Sequence, residues 1–140
     1  MIIWIASYPK SGNTWVRSFL TAYYFCENGT FDINKLNLIE DYPNKQFFKE
    51  KVKQGEIHKH WEESQKAICD QKKVKFLKTH NSLITAFGND FTKPEYSLGV
   101  IYIIRDPRNV ITSVKNHNDL DTYDQALKFM QDENKVLEDY

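Results

Sequence analysis

The octet YPKSGNTW, residues 8 to 15, brings Lys10, Ser11, Gly12, Asn13 and Thr14 into one short loop. Glycine lets a backbone approach a ligand closely, the hydroxyl and amide side chains add donors, and the lysine adds a full positive charge. The apolar run IIWIA precedes the loop and a helix-like pattern follows it. A loop so placed gathers free backbone N–H groups and the positive end of a helix dipole, which together suit an anion. The alternative is a tight turn with a merely solvated Lys10; Gly12 at a strand-to-helix junction favours the anion. The glycines fall at 12, 29, 55, 88 and 99, so no pair has the G-x-x-x-x-G-K-[ST] spacing of a nucleoside-triphosphate loop. Here the lysine comes before the glycine.

Two further clusters carry chemistry. The chain has three arginines, and Arg105 and Arg108 fall within one quartet, RDPR, where an apolar run ends. A planar guanidinium fits a phosphate better than an ammonium does. Ser113, eight residues after Arg105, is placed to add a hydroxyl to the same phosphate. The alternative is an Arg105 paired to a carboxylate and a Ser113 facing solvent, and the residues alone leave both open. Asp106 mimics the acidic strand end that holds magnesium in triphosphatases, but without the matching loop it reads as a helix cap. In KTH, Lys78 and His80 are i and i+2, so at a strand end both can reach one crevice. Histidine titrates near neutrality, with an unperturbed pKa of about 6.5, and His80 is the best of four candidates for a general base. His58 and His60 lie in a helix-like segment without a partner cluster, and His117 suits a helix end.

These residues need elements to position them. IIWIA predicts a strand buried on both faces, and Val16, Phe19, Leu20, Tyr23 and Tyr24 mark one face of a helix behind the loop. Residues 26 to 44 read as irregular connection, while QFFKEKVKQG and IHKHWEESQKAICD can each be helical, with Ile57, Trp61, Ala67 and Ile68 as buried positions. KVKFLKTH predicts a second strand. LGVIYIIRD at 98 to 106 is the strongest buried-strand signal, expected at the sheet centre. Asp106 and Pro107 then open a helix with Val110, Ile111 and Val114 on its apolar side, and residues 123 to 137 predict a closing amphipathic helix. Alternating strands and helices imply an α/β sheet that is mainly parallel, which binds ligands beyond the carboxyl ends of its strands. All three polar clusters fall on that rim.

The bulk properties narrow the function classes. At 140 residues the expectation is one domain. With 19 basic and 19 acidic residues the net charge is zero, so no overall field draws the chain to nucleic acid or an anionic membrane, and any anion site is local. The opening MIIWIA is too short for a membrane span and lacks the flanks of a secretion signal, making the cytoplasm the expected compartment. Cys26 and Cys69 lack C-x-x-C spacing or a histidine cluster, which points to reduced thiols and no metal.

YPKSGNTW, KTHNSL and YIIRDPRNVITS resemble, in order, the cofactor loop, catalytic segment and phosphate-binding segment of the soluble sulfotransferases. The resemblance implies a P-loop-like three-layer α/β/α fold, the cofactor 3'-phosphoadenosine-5'-phosphosulfate, and sulfuryl transfer to a hydroxyl or amine of a small-molecule or glycan acceptor. It implies that Lys10, Ser11, Gly12, Asn13 and Thr14 hold the phosphosulfate, with Trp15 near the adenine. Lys10, Lys78 and His80 carry over as catalytic residues, and Arg105 and Ser113 as contacts to the 3'-phosphate; no metal is implied. The chain departs from the family pattern at Asn13, where a threonine is usual, and stops before a later glycine-containing basic segment. Residues 1–140 are thus expected to form a partial domain, truncated relative to the family. Two other functions follow the same residues: an inactive nucleotide-binding module, and, less readily, a small-molecule kinase.

Overall fold

The computed structural model describes residues 1–48, 52, 53 and 55–132. In chain order its strands are β1 (Ile2–Ser7), β2 (Glu40–Asp41), β3 (Lys75–Thr79), β4 (Thr85–Ala86), β5 (Asn89–Asp90) and β6 (Ser97–Ile103). Its α-helices are α1 (Asn13–Phe25), α2 (Trp61–Cys69), α3 (Pro107–His117) and α4 (Tyr123–Gln131). The main sheet has the order β2-β3-β1-β6 with every pairing parallel, and β4 and β5 form a separate antiparallel hairpin. The parallel α/β expectation holds.

Helices flank the sheet on both faces. Strand side chains alternate between faces, so Ile2, Trp4 and Leu77 meet α2 through Trp61 and Ile68, joined by Tyr42, Ile57 and Phe91 in one core. Phe76, on the opposite face from Leu77, packs its ring on Tyr24 of α1 with centroids 5.1 Å apart. A second core joins Val110 and Val114 of α3 to Ala126 of α4, with Tyr8 packed against it. Asp106 caps α3, accepting from Arg108 N at 2.9 Å, and Pro107 fills the first helical position as expected. Thr122 and Gln125 form a capping box on α4. Residues 49–51, 54 and 133–140, onto which two predicted helices extend, lie outside the described residues. The described start of QFFKEKVKQG is a single 3-10 turn, Lys45–Phe47.

Two expectations are corrected. The strand LGVIYII is not central: among the described residues β6 pairs only with β1, and Leu98, Val100, Tyr102 and Ile104 are exposed. Its β-branched composition specifies a pleated strand, but composition does not say whether a neighbour lies on both sides. The apolar face of α1 turns inward only in part: Val16 and Leu20 are half-buried and Tyr24 packs on Phe76, but Phe19 and Tyr23 stay exposed. The buried residues of α1 are Asn13, Arg17 and Thr21, while Trp15, Phe19 and Tyr23 are 71%, 60% and 78% exposed. Spacing sets the stripes of a helix; partners on the sheet decide which stripe is covered. Here the polar stripe finds them, in carbonyls of β1 and of the segment before β2. Smaller corrections are Ala67, which is exposed, and β2 and the β4–β5 hairpin, which lie in segments without a strand signal.

Candidate active site at the carboxyl ends of the strands

The loop between β1 and α1 is shaped by two left-handed residues, Lys10 at φ 66° and Gly12 at φ 102°. That conformation is ordinary for Gly12 and unusual for a lysine. Open space surrounds the position a Gly12 Cβ would take. Gly12 is the N-cap of α1 and offers no side chain to its first turn, where no acidic residue lies. The first helical bond closed at this end is Val16 N to Gly12 O, 3.2 Å, so the N–H groups of the opening turn have no helical acceptor. Positive dipole and unspent donors coincide there.

Arg105 closes the loop from the other side, its Nη1 donating to the Lys10 carbonyl at 3.1 Å. Among the described residues neither Arg105 nor Lys10 has a carboxylate partner, so the carboxylate-paired alternative for Arg105 is not what forms. Arg108 is committed to Asp106, with Nη2 2.6 Å from Oδ2, and the guanidinium holds that carboxyl below the usual range. Asp106 is therefore a helix cap bound by its own arginine. Ser113 lies half-buried on α3, and no side-chain hydrogen bond among the described residues joins it to the loop. Trp15 stands on the outer face of α1, tilted against Phe19 with centroids 4.9 Å apart.

The loop's side chains divide. Thr14 is exposed and Ser11 buried, but Asn13 points away from the loop into the sheet. Its Nδ2 donates to the Ile5 carbonyl and to Ser7 Oγ, both at 3.1 Å. Only the backbone of Asn13 is thus offered to an anion, a correction to its expected side-chain contact. Its amide instead ties the loop to the end of β1, where Ser7 meets His80: the imidazole Nδ1 is 2.7 Å from Ser7 O and 3.3 Å from Ser7 Oγ.

Lys78 and His80 do not converge as i, i+2 strand neighbours would. β3 ends at Thr79, and while His80 turns to β1, Lys78 reaches across to β2, with Nζ 3.5 Å from Asp41 Oδ2. Asp41 also receives Arg17, whose buried guanidinium is pushed below its ordinary pKa by desolvation and partly restored by that carboxylate. Sequence reasoning missed Ser7, Asp41 and the inward Asn13. Ser7 was visible as the first polar residue after the apolar strand, whereas Asp41 sits in a stretch without periodicity.

Beside His80 opens a cavity of about 640 Å³, walled by Trp4, Phe91, Val100 and Tyr102, with Ser7 and Thr92 among its polar lining. Among the described residues no lysine, arginine or carboxylate lines it. The lining comes from β1, Tyr8, β6 and residues 79–83 and 91–97. The donor set of the loop fits a phosphosulfate: an uncapped helix start, a glycine with room above it, and two cations that have no carboxylate partner among the described residues.

No helix of the described residues is long and apolar enough to cross a membrane. Among curated proteins and solved structures none matches the chain. A family model described as the sulfotransferase domain matches residues 2–140. The loop, His80 and Arg105 are thus carried on a chain that matches that domain along nearly its whole length, and the protein belongs to the sulfotransferase domain family.

Proposed function

We propose that the chain binds 3'-phosphoadenosine-5'-phosphosulfate at the β1–α1 loop and transfers its sulfuryl group to a hydroxyl or amine of a small, neutral acceptor in the cavity beside His80. The observation that carries this reading is the Arg105 bond to the Lys10 carbonyl, which sets the guanidinium against the loop that carries Lys10, at an uncapped helix start. When bound, the donor supplies an activated sulfuryl group on a phosphate leaving group. The chain supplies position and charge. The N–H groups at the start of α1, Ser11, Thr14 and Lys10 hold the 5' end, Arg105 and Ser113 hold the 3'-phosphate, and Trp15 lies beside the base. With its Nδ1 proton on the Ser7 carbonyl, His80 offers Nε2 to the acceptor's proton. Lys10 and Lys78 balance the negative charge that leaves with the phosphate. The uncharged aromatic walls suit a neutral acceptor better than an anionic glycan.

Incubation of the purified chain with sulfur-labelled donor and a panel of neutral phenols and alcohols tests this directly. The expected result is a labelled acceptor and one equivalent of the 3',5'-bisphosphate. Binding of the nucleotide without transfer would make the chain a binding module, and magnesium-dependent turnover of ATP would make it a kinase.

A further inference from the structure

Asp41 and Lys78 are register partners across β2 and β3, and their side chains meet at 3.5 Å. The other carboxylate oxygen, Oδ1, accepts from Arg17 Nη1 at 3.2 Å. Arg17 is itself held in place, because Nη2 donates to the carbonyls of Ile39 at 2.6 Å and Leu36 at 3.3 Å. The side chains of Arg17 and Lys78 are only 10% and 15% exposed, against 47% for Asp41. One carboxylate therefore lies between two largely covered cations, and covered cations need a counter-charge close by. Arg17 is four residues beyond Asn13 on the same buried stripe of α1, so the cluster sits under the helix whose start forms the anion loop. Arg17 is pinned by main-chain carbonyls as well as by Asp41, whereas Lys78, on a flexible four-carbon stem, is the member able to change partners.

We propose that Asp41 is the positioning residue of Lys78: it holds the ammonium on the β2 side of the sheet, and an anion at the start of α1 must draw Lys78 from that carboxylate to engage it. The inference rests on the assignment of Lys78 to the donor site. It gives Asp41 a role that a purely structural partner of Arg17 lacks, since its charge competes with the donor for the same lysine.

Calorimetric titration of the whole chain with adenosine 3',5'-bisphosphate tests this in the parent, Asp41→Asn, Lys78→Met and the double variant. Asp41→Asn is expected to tighten binding on the order of tenfold, the size of one ion-pair contact a few ångströms long that no longer has to be broken in partly screened surroundings. In the Lys78→Met background the same change should alter affinity by less than about twofold, as the competition has no object. An equal gain in both backgrounds, or none in either, overturns the proposal. A second measurement needs no nucleotide: reductive methylation of the free chain, read by mass spectrometry, should modify Lys78 several-fold faster in Asp41→Asn than in the parent, with Lys128 as internal reference. Equal rates overturn the proposal as well. Should Asp41→Asn fail to fold, Asp41→Ser, which keeps an acceptor for Arg17, takes its place. Absence of any bisphosphate binding by the parent contradicts the donor site, and the methylation rates then decide the place of Asp41; binding with indistinguishable variants contradicts this inference alone.

Discussion

The Nδ1 atom of His80 lies 2.7 Å from the main-chain carbonyl oxygen of Ser7. A carbonyl oxygen only accepts, so Nδ1 carries the proton of the neutral ring and Nε2 keeps its lone pair. A ring fixed in that tautomer is prepared to take a proton. His80→Ala is expected to fold, to keep its affinity for the bisphosphate, and to lose about 10²- to 10⁴-fold in turnover. Transfer assay and calorimetry on the same preparation check this, and undiminished turnover removes His80 from the role of base.

Arg105 reaches the Lys10 carbonyl from the segment after β6, so its guanidinium belongs to the loop although 95 residues separate the two. Arg105→Ala should weaken binding of adenosine 3',5'-bisphosphate about tenfold or more while leaving AMP, which lacks the 3'-phosphate, unaffected. Arg105→Lys should recover little, because an ammonium cannot present the planar fork. Lys10→Ala should weaken both nucleotides. Equal losses for the two nucleotides in Arg105→Ala would detach this arginine from the 3'-phosphate.

The inverted packing of α1 makes a stability prediction opposite to the one its hydropathy suggests. Phe19→Lys, on the exposed stripe, should change the unfolding free energy by less than about 0.5 kcal/mol. Arg17→Ala, on the buried stripe, should cost about 2 to 4 kcal/mol, since it strips the carbonyls of Ile39 and Leu36 of a donor and Asp41 of its nearer cation. Urea unfolding of both variants measures the contrast, and a larger cost for Phe19→Lys would mean that the aromatic stripe is the covered one.

Tyr42 gives the fold an alkaline limit. Its buried hydroxyl meets Ser64 Oγ at 2.7 Å and accepts from Gln65 Nε2 at 3.3 Å, and burial, opposed by these bonds, pushes its pKa up to about 12. In the unfolded chain a tyrosine titrates near 10. Between those values the folded state keeps a proton that the unfolded state has lost, so the contribution is complete below about pH 10 and is lost as pH rises towards 12. The loss amounts to about 3 kcal/mol. Tyr42→Phe should remove that part of the alkaline decline; denaturant unfolding from pH 9 to pH 11.5 compares the slopes, and identical slopes would refute the assignment.

Most of the fold is written in local pattern. The run IIWIA, the Asp-Pro stop before α3 and the apolar spacing of α3 each specify their element through neighbours a few residues away. The rim site was legible for the same reason: Lys10, Gly12, His80 and Arg105 mark strand ends that a parallel sheet must bring to one edge. What stayed hidden depends on partners far along the chain. Whether β6 has one neighbour or two depends on strand pairing that its own composition does not encode; whether the aromatic or the polar stripe of α1 meets the sheet is decided by groups such as the Ile39 carbonyl and Asp41, in a segment with no periodicity to read. The divergence of Lys78 and His80 has the same origin, for β3 stops one residue early and each side chain finds a different neighbouring strand.

The central claim is that the β1–α1 loop and Arg105 form one site for a nucleotide bearing a 3'-phosphate. Calorimetric titration of the purified chain with adenosine 3',5'-bisphosphate, AMP and ATP, each with and without magnesium, tests it most directly. The predicted result is one bisphosphate per chain, bound at least about tenfold tighter than either other nucleotide and independent of magnesium. Equal affinity for all three, or tighter magnesium-dependent binding of ATP, would contradict it.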